Sequence, residues 1–260
     1  MNIVVCIKQV PNTNEVKLDP ITGTLIREGV PSIINPDDKA GLEAALRLKD
    51  ENGAHVTVVS MGPPQADAAL REALAMGADE AILVTDRAFG GADTLATSTT
   101  IAAAIKTLQY DLIITGRQAI DGDTAQVGPQ IAEHLGIPNV SYAEEIKVDG
   151  DFITVKRQYE DRYHIIKVKL PCLITALSEL NKPRYMTPGG IFDAYRNKEV
   201  KILTRQDLDV DDASIGLKGS PTRVWQTFTK SLKAEGQLVN LDPQESADFM
   251  LEKLKEKFII

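Results

Sequence analysis

The sequence predicts an α/β protein: a doubly wound, mostly parallel sheet with an antiparallel extension and a C-terminal arm. Three observations carry this. Over residues 2–135, short and almost wholly apolar runs alternate with segments of helical period, the pattern of strands buried on both faces between layers of helix. Over 141–170 the period falls to two, which suits antiparallel strands with one wet face. From about residue 181 the core pattern is lost until a final amphipathic segment.

Residues 2–10, NIVVCIKQV, read as the first strand, and LDPITGTLIR as a small hairpin. In NPDDKAGLEAALRLKDENG, Asn35 suits an N-cap, Pro36 the first helical position, and Asp37 and Asp38 the positive end of the dipole. Leu42, Ala45, Leu46 and Lys49 follow the helical period, and Gly53 closes the helix. Residues 55–62 form the second strand. A helix opened by prolines follows and stops at Gly77. Residues 81–85 form the third strand. After Gly90–Gly91 comes a helix over 93–108 with a buried stripe of Leu95, Ala102, Ile105 and Leu108. Residues 111–115 are the fourth strand and 123–135 the next helix. The crossovers are expected to be right-handed.

SYAEEIKVDG, DFITVKRQY and HIIKVKL then alternate, with a turn at Asp149–Gly150, and PCLITAL (171–177) is a further buried strand. The segment 181–198 is rich in Pro and Gly yet keeps Tyr185, Met186, Ile191, Phe192 and Tyr195. Residues 204–240 are polar and weakly patterned. Asp242, Pro243 and Glu245 open a last helix whose stripe is Ala247, Met250, Leu251, Leu254 and Phe258. This tail reads either as a solvated extension or as an arm folded against a partner subunit through Trp225, Phe228 and that stripe.

The formal net charge of −8 argues against nucleic acid or an anionic membrane as the main partner. No run approaches the roughly 18 apolar residues of a membrane span. The N-terminus lacks a basic region and a cleavage site, and reads as a strand. Cys6 and Cys172 sit in apolar runs, as small buried hydrophobes of a reducing, cytoplasmic protein. His55, His134 and His164 are far apart and show no metal-ligand spacing.

In such a sheet, ligands bind outside the carboxyl ends of the strands. Those ends deliver CIKQVPN, SMGPPQ, TDRAFGGADTLATS and TGRQAIDGDTAQVG. None matches the common dinucleotide or Walker patterns. The fourth nevertheless suits a nucleotide. Gly116, Gly122 and Gly128 allow close approach, and Asp123 and Thr124 stand at a helix start whose N–H groups can receive phosphate. Gln118, Asp121 and Gln126 can bond ribose or adenine, and Arg117 brings the one positive charge. The third repeats the logic with Asp93, Thr94, Thr97 and Ser98. The plainer reading stands beside this one: Asp93 and Asp123 cap helices, Gly116 relieves crowding, and Cys6 and Met61 are core. No nucleophile–base pair or carboxylate dyad is evident, so a bound cofactor is expected to do the chemistry.

CIKQVPN, the Asn-Pro helix opening, SMGPPQ, ALAMGADEAILV, GRQAIDGDTAQVG, LPCLITA and LNKPRY, in this order and spacing, resemble the β subunit of electron-transfer flavoproteins along nearly the whole chain. The resemblance implies a Rossmann-like, adenine-nucleotide-binding domain over 1–180. It also implies a partner-recognition loop within 181–197 that docks on acyl-CoA dehydrogenases, and an arm with a terminal helix over 198–260 that packs on an obligate α subunit. It implies cofactor contacts at Cys6, Asn35, Asp37, Asp38, Met61 and Gly62. The same holds for the run Gly116, Arg117, Gln118, Ala119, Ile120, Asp121, Gly122, Asp123, Thr124, Ala125, Gln126, Val127 and Gly128.

One branch of that family keeps AMP in the crevice and uses a single FAD in the α subunit. The other holds a second FAD in β, which takes a hydride from NADH and divides the electrons between a high-potential acceptor and ferredoxin or flavodoxin. GGADTLATS and DGDTAQVG are similar to the second branch, and Asp93, Thr94, Thr97 and Ser98 would serve the larger ligand. A nucleotide-binding module of the universal-stress type is the more remote reading. Two departures stand out. Asp161 and Arg162 replace glycines that usually precede LPCLITA, and Pro188 replaces an anchoring leucine of the recognition loop.

Overall fold

The computed structural model describes residues 1–12, 17–18, 25–26, 31–222, 236 and 238–260. The chain divides into two units, 1–225 and 226–260.

In the first unit, β1 (Asn2–Cys6) ends where the sequence suggested a strand running to residue 10. The chain breaks at Ile7–Lys8 because the Lys8 N–H turns aside to the Asp38 carboxylate, at 2.7 Å. Then β2 (Gln9–Pro11) pairs antiparallel with β5 (Ser32–Ile34), and between them β3 (Lys17–Leu18) pairs with β4 (Leu25–Ile26) as the expected hairpin. α1 (Pro36–Asn52) closes on Gly53 in the left-handed region, φ 68°. β6 (His55–Met61), α2 (Asp67–Met76), β7 (Glu80–Val84), α3 (Thr94–Ile105) and β8 (Leu112–Gly116) follow in the alternation read from the sequence. α4 spans Val127–Leu135. It starts four residues later than expected, because Asp123 and Ala125 take left-handed backbone angles, φ 49° and 52°, which a right-handed helix excludes. The stripe expected on α3 also changes: Leu95 is 40% exposed, and the buried face is built from Ala96, Ser98, Thr100, Ile101 and the following residues.

β9 (Asn139–Asp149), β10 (Phe152–Gln158) and β11 (Tyr163–Lys169) form the antiparallel extension, with Gly150 at φ 57° in the first turn. β12 (Cys172–Ala176) returns to the sheet. The core does not end there. α5 (Pro188–Arg196) packs on α2, and β13 (Val200–Leu203) adds an edge strand parallel to β7. Residues 198–222, placed in the arm by the sequence, therefore pack within the first unit, where Leu208 and Ile215 are buried. The polar spacing there hid single core residues that have no helical or strand period.

The sheet order is β11-β10-β9-β12-β8-β1-β6-β7-β13, parallel from β9 to β13. One core cluster joins α1 and α2 to one face, and a second joins α3 and α4 to the other. From β1 the chain moves to β6 on one side, whereas β8 lies on the other. The outlet between β1 and β8 is thus the topological switch point, where open sheets of this kind leave a crevice.

In the second unit, α6 (Pro243–Glu256) is capped by the Asp242 carboxylate, which accepts from the Glu245 N–H at 2.9 Å. It has no buried residue, and Met250, Leu251, Leu254 and Phe258 are exposed. Trp225 and Phe228 lie outside the described residues. Among the described residues, no helix is long and apolar enough to cross a membrane.

Candidate functional site

The start of α1 and the loop after β8 meet at the switch point. Asn35 does not cap α1 with its side chain. Its amide donates to Gln118 O at 2.8 Å and accepts from the Ile120 N–H at 3.1 Å. The Asp38 carboxylate accepts from the Gly116 N–H at 2.9 Å and the Lys8 N–H at 2.7 Å, so one side chain joins the ends of β1 and β8. Asp37 Oδ2 stands 3.3 Å from Arg117 Nε. Lys8 Nζ reaches Asp121 at 2.7 Å. The fold brings Lys8 to a loop 113 residues away.

Burial pushes the Asp38 carboxyl up to about 7, against the opposing pull of Asn35 and the two N–H donors, with Asp37 adding to the rise. Burial also raises Asp37 in spite of Arg117. Burial, helped by Asp38, pushes the Cys6 thiol up to about 12, so Cys6 is an inert packing residue at neutral pH. Met61 ends β6 at the same outlet, Gly62 follows it, and both are half-buried.

Two of the three loop glycines are needed by the protein itself. A Cβ on Gly116 would overlap the Asp38 carboxylate, and one on Gly128 would stand 2.5 Å from Thr115 Oγ1. Gly122 faces open space. Gln118 Nε2 donates to Asp123 at 2.9 Å. Asp123 and Thr124 do not begin a helix, for the backbone reason above. Beyond them, the N–H groups of Thr124, Ala125, Gln126, Val127 and Gly128 make no hydrogen bond within the described chain. This run of donors opens α4 at the positive end of its dipole, an arrangement suited to phosphate oxygens.

The third loop divides. Asp93 caps α3 through Ala96 N–H at 3.0 Å and accepts from Thr222 N–H at 3.0 Å, so both its oxygens are engaged inside the chain. Ser98 is fully buried, donates to Leu95 O and lies 3.1 Å from His134 Nε2. Thr97 is half-buried in the first turn. Thr94 Oγ1 donates to Gln126 Oε1 at 3.0 Å, joining this loop to the donor run. Ala119, Ile120 and Val127 contribute backbone to the same rim. Among the described residues, no group of His, Cys, Asp or Glu could hold a metal ion.

The crevice can thus take the phosphates of a nucleotide, with its surrounding carboxylates already paired or hydrogen-bonded, and it offers no acid, base or nucleophile poised for covalent work. Comparison with known proteins gives the family. Residues 22–208 match the electron transfer flavoprotein domain. The chain is 64% identical to the electron transfer flavoprotein subunit beta of Clostridium acetobutylicum and 58% identical to that of Thermoanaerobacterium thermosaccharolyticum, each over all of both chains. It is 56% identical, again over all of both chains, to the caffeyl-CoA reductase-Etf complex subunit CarD of Acetobacterium woodii. The chain belongs to the electron transfer flavoprotein family, as a protein of its β-subunit type.

Proposed function

We propose that the crevice holds FAD, that NADH is the electron donor, and that the electrons leave by two routes. One leads through the FAD of the α subunit to a high-potential acyl-CoA dehydrogenase. The other leads to ferredoxin or flavodoxin. When bound, the flavin supplies two-electron uptake from a nicotinamide and release of single electrons to acceptors of different potential. The chain's own residues bind and orient. Thr124 to Gly128 present N–H groups to a diphosphate, and Asn35 and Asp38 fix the loop that precedes them. Asp37–Arg117 and Lys8–Asp121 offset carboxylates that would otherwise repel an anion.

One observation carries the larger ligand: the rim does not stop at the fourth loop, because Thr94 Oγ1 donates to Gln126 Oε1 and joins that loop to the start of α3. The likeness to the Acetobacterium protein, a subunit of a caffeyl-CoA reductase-Etf complex, supports a CoA-ester reductase as the distal partner. A specific observation favours the second reading, AMP in this crevice with a single FAD in the α subunit: Asp93 and Ser98 spend their polar atoms within the chain. Flavin and AMP per α/β dimer, measured after denaturation, together with an NADH titration followed by absorbance, separate the two. Two flavins and bleaching by NADH are expected. One flavin, one AMP and no bleaching would overturn the proposal.

A further inference from the structure

We propose that Arg157, walled by Tyr142 and Tyr159 at the outlet edge of the sheet, anchors the adenylate half of the reduced nicotinamide dinucleotide. This rests on the reading above that NADH is the donor, and it names the group that would hold the end of NADH remote from the hydride.

The strand register fixes the place. Gly116 is opposite Ala176, Ala176 is opposite Ala143, and Ala143 is opposite Arg157. Arg157 therefore stands level with the end of β8, three strand spacings or roughly 14 Å away, within the span of an extended dinucleotide. Only Leu170 and Pro171 link β11 to β12, so Lys169 has to lie within about 10 Å of Cys172. β9 therefore turns back after its pairing with β12. The bend follows Ala143, the last residue paired with β12, just after Tyr142, whose φ is 59° and whose N–H is held by Thr175 Oγ1 at 3.0 Å. The register leaves Arg157, opposite Ala143, at the level of Leu177, whose N–H donates to Ala143 O.

The chemistry of the cluster is unfinished. The Arg157 Nε is buried without a hydrogen-bond partner, and no carboxylate pairs with its guanidinium among the described residues. The guanidinium lies 4.9 Å from the Tyr159 ring centroid and 5.9 Å from that of Tyr142. His164 lies beyond, its ring 4.6 Å from that of Tyr159 and tilted by 49°. The other cations round the crevice, Lys8 and Arg117, already face Asp121 and Asp37. An unpaired guanidinium set against aromatic rings recognises a phosphate by its planar fork. The turn that presents Tyr159 is the one where Asp161 and Arg162 stand in place of glycines, closed by a Tyr159 N–H to Arg162 O bond at 2.9 Å.

The test uses the whole α/β complex and two donors: NADH, and reduced nicotinamide mononucleotide, which lacks the adenylate. The readout is the ratio of their kcat/KM values for flavin reduction. Arg157→Ala is expected to shrink the preference for NADH at least tenfold, through KM for NADH, and Tyr159→Leu to shrink it about threefold. Arg157→Lys, which keeps the charge and loses the fork, should fall between wild type and Arg157→Ala. A ratio unmoved in all three variants overturns the proposal. So does an Arg157→Ala chain that purifies without its α subunit while Arg157→Lys keeps the wild-type ratio, since Arg157 then belongs to the subunit contact. A wild-type complex that carries flavin and ignores both donors would sink the NADH reading itself, and this inference with it.

Discussion

Replacing Gly116 by alanine tests the core of the site. The new methyl would overlap Asp38 Oδ1 and come within 2.8 Å of Asp38 N and 2.9 Å of Asp37 Cβ. Two of these three atoms belong to the backbone or its first carbon at the start of a buried helix, so they yield only if α1 backs away from β8. That movement breaks the Gly116 N–H bond to the carboxylate, costing about 1.5–3 kcal/mol for a charged acceptor. Residual overpacking adds roughly 1–3 kcal/mol. The sum, about 2.5–6 kcal/mol, is a large part of the ~5–15 kcal/mol that holds a domain folded. Gly122→Ala is the matched control, because nothing lies within 4 Å of its Cβ position, and it should shift stability by no more than about 0.5 kcal/mol. Urea unfolding of the subunit complex followed by circular dichroism, with bound nucleotide counted in parallel, reads both effects. A Gly116→Ala curve that overlays the Gly122→Ala curve at full nucleotide content would refute the account of the clamp.

Asp38 gives a pH prediction. Its folded pKa, about 7, lies above the ordinary 3.8, so its contribution to stability is present below about 4 and is lost as pH rises through about 7. Asp38→Asn should flatten that part of the stability–pH profile, and an unchanged slope between pH 4 and 7 counts against it. Arg184 gives the opposite sign. Burial works to raise Glu43, but the bonds from Arg184 outweigh it and hold the carboxyl below its ordinary value. Its stabilisation is therefore present above pH 4.5 and lost on acidification. Arg184→Ala leaves a nearly buried carboxylate with Arg47 as its remaining cation. This should cost about 2–3 kcal/mol at pH 7, less than the ~3–5 kcal/mol of a fully orphaned partner, and reduce the acid-side loss. Hydrogen exchange should find the amides of Gly116 and Ile120 slow with or without nucleotide, and those of Thr124 to Val127 slow only when nucleotide is bound. Equal protection of both groups in the nucleotide-free chain would contradict the division of the loop.

The alternation of strands and helices was legible up to Leu135 because the strands there are unbroken apolar runs and the helices between them carry the helical period. Gly53 and Gly77 marked helix ends because the chain there needs positive φ, 68° and 129°. β13 escaped notice because a four-residue edge strand with an exposed Ile202 carries too few core positions to show a period. The start of α4 was misplaced because Asp123 and Thr124 look like caps in any local reading, whereas the left-handed angles at Asp123 and Ala125 belong to the loop. In the site, residue types were readable and partners were not. Asn35 looked like a cap and proved to be a tether to residues 118 and 120, and Lys8 pairs with Asp121. Contacts across more than eighty residues leave no trace in spacing.

The loop after β8 is acidic, with Asp121 and Asp123 in its middle, which at first sight opposes the binding of a phosphate ester. The geometry resolves this by separating charge from donors. Lys8 neutralises Asp121, Gln118 holds Asp123, and Arg117 is spent on Asp37 and brings no net attraction of its own. What remains to meet an anion is the backbone: successive N–H groups and the dipole of α4. Such a site binds through fixed partial charges and not through mobile cations, so less side-chain entropy is lost when the ligand arrives. It also explains why the first half of the loop is bound so tightly to α1. A donor run free of internal partners keeps its aim only if the chain entering it is held, and Asn35 and Asp38 do that from the helix that the topological switch places beside β8.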